Sequence, residues 1–285
     1  MEYQSRLAEH YNDLTDALKQ AADFVVANPI DVATRPLRTV AYESKVSPAA
    51  FSRLARALGY DDFDSLREEL RQSLETRVNK FSDRAAQLQN DHRDGKTGFF
   101  NAHFAACQSN LNDFAAQVDH EALNTSADHL GAARKVLLMG ALGSTGVVEY
   151  LSYMANFCTD NWHVAGRVGT SLGSGLSGLS DQDAMIVVTK PPFSDRAMRS
   201  AKMAKERGAY VVVITDAHSC PALKYASNHF IVPTQSPHFF SSYMVTLFLV
   251  EALIGMIVSR SGQGAHTRIA EVEEASRILA EVWDR

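Results

Sequence analysis

Residues 135–151 read KVLLMGALGSTGVVEYL, and this stretch decides the fold of the second half of the chain. The apolar run at 136–139 stops at Gly140, and Ser144 then opens an amphipathic segment whose apolar positions recur at helical spacing. This order predicts a buried strand, a tight turn and a helix. A glycine in such a turn allows a close approach of the backbone to its neighbours or to a ligand.

The turn after this predicted strand has two interpretations. The first amides of a helix are unpaired and lie at the positive end of its dipole, so they bind anions, and the hydroxyls of Ser144 and Thr145 add donors. Alternatively, Ser144 only caps the helix while Gly140 and Gly143 make the turn. Because Gly140, Gly143 and Gly146 are spaced three apart, the stretch lacks the G-x-G-x-x-G pattern of dinucleotide-binding sites.

Further apolar runs predict strands at 162–165, 184–189, 210–215 and 229–232. Helical patterns lie between them at about 146–157 and 194–207, and this alternation predicts a doubly wound α/β domain with a parallel sheet. Ligands of such sheets bind beyond the carboxyl ends of the strands. We therefore expect ligand contacts from the polar groups at three strand ends: Gly143, Ser144, Thr145, Thr189, Lys190, Ser194 and Asp216.

Three other segments of this half carry structural expectations. Residues 238–258 predict one long buried helix, and residues 267–283 predict an amphipathic helix with Ile278 and Leu279 facing inward. The segment 169–178, GTSLGSGLSG, predicts a flexible loop that orders over a ligand. The most apolar stretch, 243–258, is shorter than the ~20 residues of a membrane span, so we expect no membrane contact.

In the first half, residues 45–60 read KVSPAAFSRLARALGY. Ser47 is a typical N-cap, Pro48 suits the first helical position, and Gly59 suits the left-handed position after a helix. A helical segment and a short turn precede it, which is the layout of a helix-turn-helix whose second helix enters the major groove of DNA. An ordinary helical bundle with a basic face is the alternative.

Charge in this region favours DNA binding, although the whole chain carries a formal net charge of −5. Between residues 35 and 56, Glu43 is the one acidic side chain among several basic ones. Because the chain as a whole is acidic, any contact with DNA phosphates has to come from a local basic surface of this kind. Phe51, Leu54 and Leu58 are expected to pack inward. The residues expected to contact DNA are Arg38, Lys45, Ser47, Ala49, Ala50, Ser52, Arg53 and Arg56.

A chain of 285 residues has room for two domains. We place an all-α helix-turn-helix domain at 1–77, a polar linker at 78–97 and the α/β domain at 98–285. Cys107, Cys158 and Cys220 lack CxxC spacing, which predicts neither disulfides nor a metal site and fits a reducing cytoplasm. The polar N-terminus shows no signal-peptide core, and no motif calls for a cofactor.

Over nearly its full length the chain resembles the RpiR-type bacterial transcription regulators, which join an N-terminal helix-turn-helix domain to a sugar isomerase (SIS) domain. The matching stretches are VSPAAFSRLARALGYDDF, the strand and Ser turn at 136–145, LSDQDAMIVVT, AKMAKERGAYVVVITD and SCPALKYASNHFIVP. The resemblance implies that the SIS domain binds a phosphorylated sugar or a related metabolite and changes how the protein meets an operator. The implied partners are double-stranded operator DNA, a small anionic metabolite and further copies of the chain, as a homodimer or a dimer of dimers.

The loop after the third strand departs from that family. SIS domains usually carry Ser-x-Ser-Gly-x-Thr there, and Thr189 and Ser194 align with two of its hydroxyl positions, but Pro191 and Pro192 replace the inner Ser and Gly. A proline lacks the amide that would bond to a phosphate oxygen. Either the site takes a different anion, or Lys190 supplies the missing contact as a point charge, although a lysine at a strand end is usually solvated.

Two other functions compete with that of a regulator. A sugar-phosphate isomerase needs a general base near the sugar carbons that exchange a proton, and the candidates are Glu149, Asp216, His218 and His238. None of them stands in a pattern that singles it out, and a DNA-binding domain would be superfluous in an isomerase. The third possibility is an interaction protein without a ligand. We predict a regulator that has no catalytic residues.

Overall fold

The computed structural model describes residues 3, 6–7, 10–78, 81–96, 98–167, 169 and 171–283. The chain divides into two compact units, Met1–Gly95 and Lys96–Arg285, each with a hydrophobic core of its own. The described elements of the first unit are helices, and the second unit is α/β, which confirms the predicted fold class. The boundaries at 77 and 97 stay a prediction.

The first unit is built from helices around the Phe51 ring. That ring is fully buried and makes edge-to-face contacts with Phe24 at 6.4 Å and Phe63 at 5.7 Å between ring centroids, so it joins three helices. A 3-10 turn at Tyr11–Asp13 precedes them. The helices that follow it are α1 (Asp16–Ala27), α2 (Pro29–Thr34), α3 (Leu37–Ser44), α4 (Pro48–Ala57), α5 (Phe63–Val78) and α6 (Phe81–Arg93).

The second unit alternates strands and helices after two initial helices, as the sequence predicts. Its helices are α7 (Phe99–Gln117), α8 (His120–Ala132), α9 (Thr145–Cys158), α10 (Leu172–Ser177), α11 (Asp195–Glu206), α12 (Met244–Arg260) and α13 (Gln263–Ile278). Its strands are β1 (Val136–Gly140), β2 (Trp162–Val164), β3 (Ala184–Val188), β4 (Tyr210–Thr215) and β5 (Asn228–Ile231). Two 3-10 turns lie at Leu142–Ser144 and Pro221–Tyr225.

The five strands form one parallel sheet in the order β2-β1-β3-β4-β5. Successive side chains point to opposite faces, so Leu138 and Ile186 pack with α8, α9 and α12 while Leu137 and Met185 pack with α11. From β1 the chain runs outward to β2 and returns to β3 on the other side of β1. The strand order therefore reverses between β1 and β3, and ligands of such sheets bind at the carboxyl ends of those two strands.

The predicted helix at 238–258 is too long at its N-terminal end. Helix α12 begins at Met244, and residues 238–243 are irregular. Local side chains take up the backbone donors that a helix would use, because Phe240 N–H donates to His238 Nδ1 at 3.0 Å and Met244 N–H donates to Ser242 Oγ at 3.3 Å.

Two further expectations for this half are wrong. Within 169–178 a short helix, α10, replaces the predicted loop, because Ser171 Oγ accepts the Ser174 N–H at 2.9 Å and caps it. Helix α13 ends at Ile278, and Ile278 and Leu279 are 76 % and 68 % exposed instead of buried. Helical spacing alone does not show whether a second surface exists for a face to pack against.

Within the described residues, no single helix is long and apolar enough to cross a membrane; α12 and α13 reach that length and composition only as a pair bent by 114°.

We expect Gly140→Ala to destabilise the protein by about 1–3 kcal/mol, because a Cβ at this position would lie 2.5 Å from Ser144 O and 2.8 Å from Val148 Cγ2. Chemical denaturation followed by circular dichroism measures the change. Gly255→Ala is the control, since a Cβ there meets nothing within 4 Å and alanine favours the helix interior. Equal stabilities of the two variants would contradict the close contact.

Candidate functional site

The helix-turn-helix consists of α3, the turn at Lys45, Val46 and Ser47, and α4. Helix α3 ends because Lys45 takes the left-handed conformation (φ 56°), and Val46 N–H then donates to Ala41 O at 3.2 Å. Glycine usually occupies that position, so nothing in the sequence signalled this ending. Ser47 caps α4 as predicted, with its Oγ accepting the Ala50 N–H at 3.3 Å.

One face of α4 lies in the core. Phe51, Leu54 and Leu58 are buried, which confirms their predicted inward packing. The prediction that Ala50 contacts DNA is wrong, because its side chain is 1 % exposed. Ala50 lies four residues before Leu54 and hence on the same buried face of the helix.

The opposite face of α4 carries four more of the predicted DNA contacts. Ala49, Arg53 and Arg56 are exposed, and Ser52 is half-buried with its Oγ donating to Pro48 O at 3.3 Å. Arg53 Nε donates to Ala49 O at 3.4 Å, which directs its side chain back toward the N-terminus of α4. This is the end of a second helix that contacts bases in proteins with this motif.

Positive charge around α4 comes from only some of the basic residues. Arg35 forms ion pairs with Asp31 at 3.1 Å and Glu43 at 2.7 Å, so its charge is partly compensated. Arg38 on α3 and Lys45 in the turn are exposed. The exposed cations of the helix-turn-helix, called the α4 face below, are Arg38, Lys45, Arg53 and Arg56.

The predicted ligand loop begins where β1 ends. Ser144 stands at the N-cap position of α9 but makes no capping hydrogen bond, and it is 1 % exposed. Its Oγ lies 3.1 Å from the hydroxyl oxygen of Tyr243. Thr145 is half-buried and Gly143 is exposed. The simple capping interpretation of Ser144 is therefore wrong, because the hydroxyl meets a residue of a distant segment.

Lys190, directly after β3, is 6 % exposed rather than solvated. Its Nζ donates to Ser242 O at 3.2 Å and to Thr246 Oγ1 at 2.7 Å, and it lies 3.8 Å from the centroid of the Tyr243 ring. Burial lowers the pKa of the Lys190 ammonium from 10.5 to about 7, and the Asp216 carboxylate opposes part of this change. The end of β3 therefore buries an amino group whose charged form is only partly compensated by its neighbours.

Aromatic side chains cover this strand edge. A Cβ on Gly143 would lie 2.9 Å from Phe240 Cε1 and 3.0 Å from the Tyr243 hydroxyl oxygen, so both residues rest on the backbone of the β1–α9 turn. Ser144 and Lys190 contact the same Tyr243. The edge that we expected to be open to a ligand is closed by residues of the same chain, because burying the aromatic rings and the lysine stem removes apolar surface from water.

The remaining predicted ligand residues are less closely joined. Thr189 is buried, and its N–H donates to Ile214 O at 3.0 Å within the sheet. Asp216 Oδ2 accepts a hydrogen bond from Thr234 Oγ1 at 3.1 Å. Ser194 stands at the N-cap of α11, but its side chain makes no capping hydrogen bond. The structure thus brings Gly143, Ser144 and Lys190 together through Tyr243, which the sequence pattern did not indicate.

Three of the four candidate bases of an isomerase, Glu149, Asp216 and His238, are engaged in other contacts. Glu149 forms an ion pair with Arg167 at 3.2 Å beside a cavity of about 850 Å³ at the β2 edge. His238 Nδ1 accepts the Phe240 N–H at 3.0 Å, and His218 is exposed. Among the described residues, no group of three or more His, Cys, Asp or Glu side chains is placed to hold a metal ion.

Lys190→Met is expected to flatten the pH dependence of stability between pH 7 and 9. The pKa of Lys190 is about 7 in the folded chain against 10.5 for an ordinary lysine, so the unfolded chain binds more protons in this window and stability rises with pH. Calorimetric Tm values over this range measure the effect. Lys202→Met, at an exposed position of α11, should keep the rise; an unchanged profile in Lys190→Met would refute the burial of the charge.

Comparison with protein families identifies both units. Residues 1–77 match the helix-turn-helix domain of the rpiR family, and residues 129–256 match the SIS domain. Two relatives are each described as an uncharacterized HTH-type transcriptional regulator. The protein from Haemophilus influenzae is 22 % identical over 78 % of this chain and 76 % of its own length, and the one from Thermotoga maritima is 20 % identical over 91 % and 93 %.

Solved structures show the same fold. The sugar isomerase domain of an RpiR transcription factor from Sphaerobacter thermophilus has a TM-score of 0.57 and 23 % identity, covering 60 % of this chain and 96 % of that one. The Vibrio vulnificus NanR protein, complexed with ManNAc-6P, has a TM-score of 0.54 and 20 % identity, covering 96 % and 98 %. With its rpiR-family helix-turn-helix domain and its SIS domain, the chain belongs to the RpiR-type transcriptional regulators.

Proposed function

We propose that the protein binds double-stranded operator DNA through the α4 face, and that its SIS domain binds a small anionic metabolite that changes this binding. A phosphorylated sugar is the default metabolite. The proposal makes the protein a regulator and not an isomerase, acting in the cytoplasm where DNA and metabolites meet.

The observation that carries the DNA-binding part is the two-sided character of α4. Its inner face is core, and its outer face presents Arg53 and Arg56 on a helix whose N-terminus is capped by Ser47. Exposed cations displace the counterions condensed on DNA, and this release supplies much of the binding free energy. Because the whole chain has a net charge of −5, DNA has to be attracted by a local positive surface such as this one.

The ligand-binding part is supported by two polar groups at the reversal of strand order. Ser144 follows β1 and Lys190 follows β3, and both contact Tyr243. A hydroxyl and an ammonium are suitable donors for a phosphate or carboxylate. The Vibrio NanR protein of the same fold is complexed with ManNAc-6P, which makes a sugar phosphate the first choice here despite Pro191 and Pro192.

We include self-association in the proposal, as a homodimer or a dimer of dimers. DNA half-sites read by this motif commonly lie about one helical turn apart and call for two reading helices. The second unit offers exposed aromatic side chains that a second copy would cover. These include Phe100 and Phe104 on α7 and Phe248 on α12.

Arg53→Ala is expected to weaken binding to the DNA upstream of the protein's own gene and to reduce the slope of log affinity against log salt by about 1, since one phosphate contact is lost. Fluorescence anisotropy at several salt concentrations measures both quantities.

Arg35→Ala is the matched control for this experiment. Arg35 already pairs with Asp31 and Glu43, so its removal should leave the salt slope nearly unchanged. If the wild-type protein binds this DNA with no dependence on salt, or if both variants lose affinity equally, the assignment of the α4 face is wrong.

Ser144→Ala is expected to remove most of the rise in Tm that an effective anionic metabolite produces, because binding to the folded state stabilises it by mass action. A panel of sugar 6-phosphates that includes ManNAc-6P, screened by thermal shift, is the first measurement.

Ser259→Ala serves as the control for the hydroxyl. Ser259 is exposed and lies about 20 Å further along α12 than Met244, so its loss should leave the shift intact. A shift that survives in Ser144→Ala would place the ligand elsewhere.

A further inference from the structure

Residues 233–243, which we call the cover loop, connect β5 to α12 without helix or strand. Its ends are held close together because Ser242 N–H donates to Thr234 O at 3.1 Å. Most of its side chains are exposed or half-buried. A closed surface loop of this kind is a unit that can move without unfolding the sheet beside it.

The first half of the cover loop is attached to α7. Asn110 is fully buried; its Nδ2 donates to Gln235 O at 2.8 Å, and its Oδ1 accepts the Gln235 N–H at 3.2 Å. Ser236 Oγ lies 3.4 Å from His103 Nδ1. This half is therefore tied by polar contacts to the first helix after the predicted linker.

The second half of the cover loop lies on the candidate ligand site. Phe240 and Tyr243 rest on Gly143, and the Tyr243 hydroxyl oxygen is 3.1 Å from Ser144 Oγ. The carbonyl of Ser242 accepts from Lys190 Nζ at 3.2 Å. Both polar contacts engage a group, the Ser144 hydroxyl or the Lys190 ammonium, that an anionic ligand would also need.

The cover loop and an anion therefore compete for the same two groups. Ser144 and Lys190 are 1 % and 6 % exposed, with Tyr243 lying against both, so a phosphate oxygen can reach their polar atoms only if the loop moves away. Under the loop, Lys190 is desolvated, which lowers its pKa to about 7. An anion in place of the loop would restore the charged form of Lys190, because an opposite charge raises the pKa of an ammonium.

We propose that the cover loop is a self-bound occupant of the anion site, and that a metabolite carrying a phosphoryl or carboxylate group binds by displacing its Phe240–Tyr243 end from Ser144 and Lys190. This inference rests on the proposed function, because it concerns the same site. Displacement also disturbs the contacts of Gln235 and Ser236 with α7. Occupancy of the site is thereby transmitted to the helix that follows the linker from the DNA-binding unit.

The proposal has a quantitative consequence. If the site is accessible only while the loop is open, the apparent dissociation constant equals the intrinsic one divided by the open fraction. Removing contacts that hold the loop closed therefore strengthens anion binding. Removing side chains around a binding site usually weakens it.

The test compares inorganic phosphate and ManNAc-6P as probes, by calorimetric titration of wild type, Tyr243→Phe and Phe240→Ala. Tyr243→Phe removes only the contact with Ser144 and keeps the ring beside Lys190, so binding should become about fivefold tighter. Phe240→Ala should tighten binding further. Phe157→Ala, the same change about 20 Å along α9 from Ser144, should bind as wild type.

Hydrogen exchange of the Phe240 and Ser242 amides tests the loop without any ligand. These amides should exchange faster than those of β1 and β3. Their exchange should be faster still in Phe240→Ala and unchanged in Phe157→Ala. Unchanged or weaker binding in folded Tyr243→Phe and Phe240→Ala overturns the proposal, as does exchange of the loop amides only with global unfolding.

The two proposals fail in distinguishable ways. If neither probe binds wild type or any variant, the anion site of the proposed function fails, and the displacement proposal fails with it even where exchange shows a mobile loop. If the probes bind wild type and lose their binding in Ser144→Ala, but the loop variants bind no tighter, the site stands and the displacement proposal alone is overturned.

Discussion

The second unit depends on the contact between the end of β1 and the start of α9. Gly140 has no side chain, so Ser144 O and the Val148 side chain approach its backbone more closely than a Cβ would allow. Helix α9 can therefore start against the sheet. This packing directs the first turn of α9 toward the carboxyl ends of β1 and β3, where Gly140 lies opposite Val188. The location of the candidate site follows from that single close approach.

The same edge holds a charge that the fold has to compensate. A lysine with an apolar stem is buried after β3, and its ammonium loses water that two oxygen acceptors and one aromatic face replace only in part. The reduced pKa of Lys190 expresses this incomplete compensation. Because burial destabilises the charged form of this ammonium, a bound anion would stabilise it more than it would a solvated lysine. Groups with shifted pKa values are common at binding sites.

In the first unit, helix α4 has one buried and one exposed face. Helix α4 packs against Phe24 and Phe63 through Phe51, while its outer face, which we propose contacts DNA, stays exposed. Buried and exposed positions alternate with the helical period, so the two faces of α4 differ in character. Ser47 and Gly59 mark the ends of the helix. Arg35 is paired within the domain, whereas Arg53 points away from the core, so basic residues of similar sequence context differ in what they can contact.

Local patterns in the sequence were sufficient for the strands, for most of the helices, for the caps of α4 and for the order of the two domains. Periodicity, N-cap residues and glycines act over a few neighbouring residues, and the side chains that set them are adjacent in the chain. Ala50 and the end of α13 were misjudged because helical spacing shows which residues share a face but not what lies against it. Only the tertiary structure decided what occupies the sheet edge. Ser144 and Tyr243 are separated by 99 positions, and Lys190 and Ser242 by 52, so their contacts arise from the folded sheet and not from any motif.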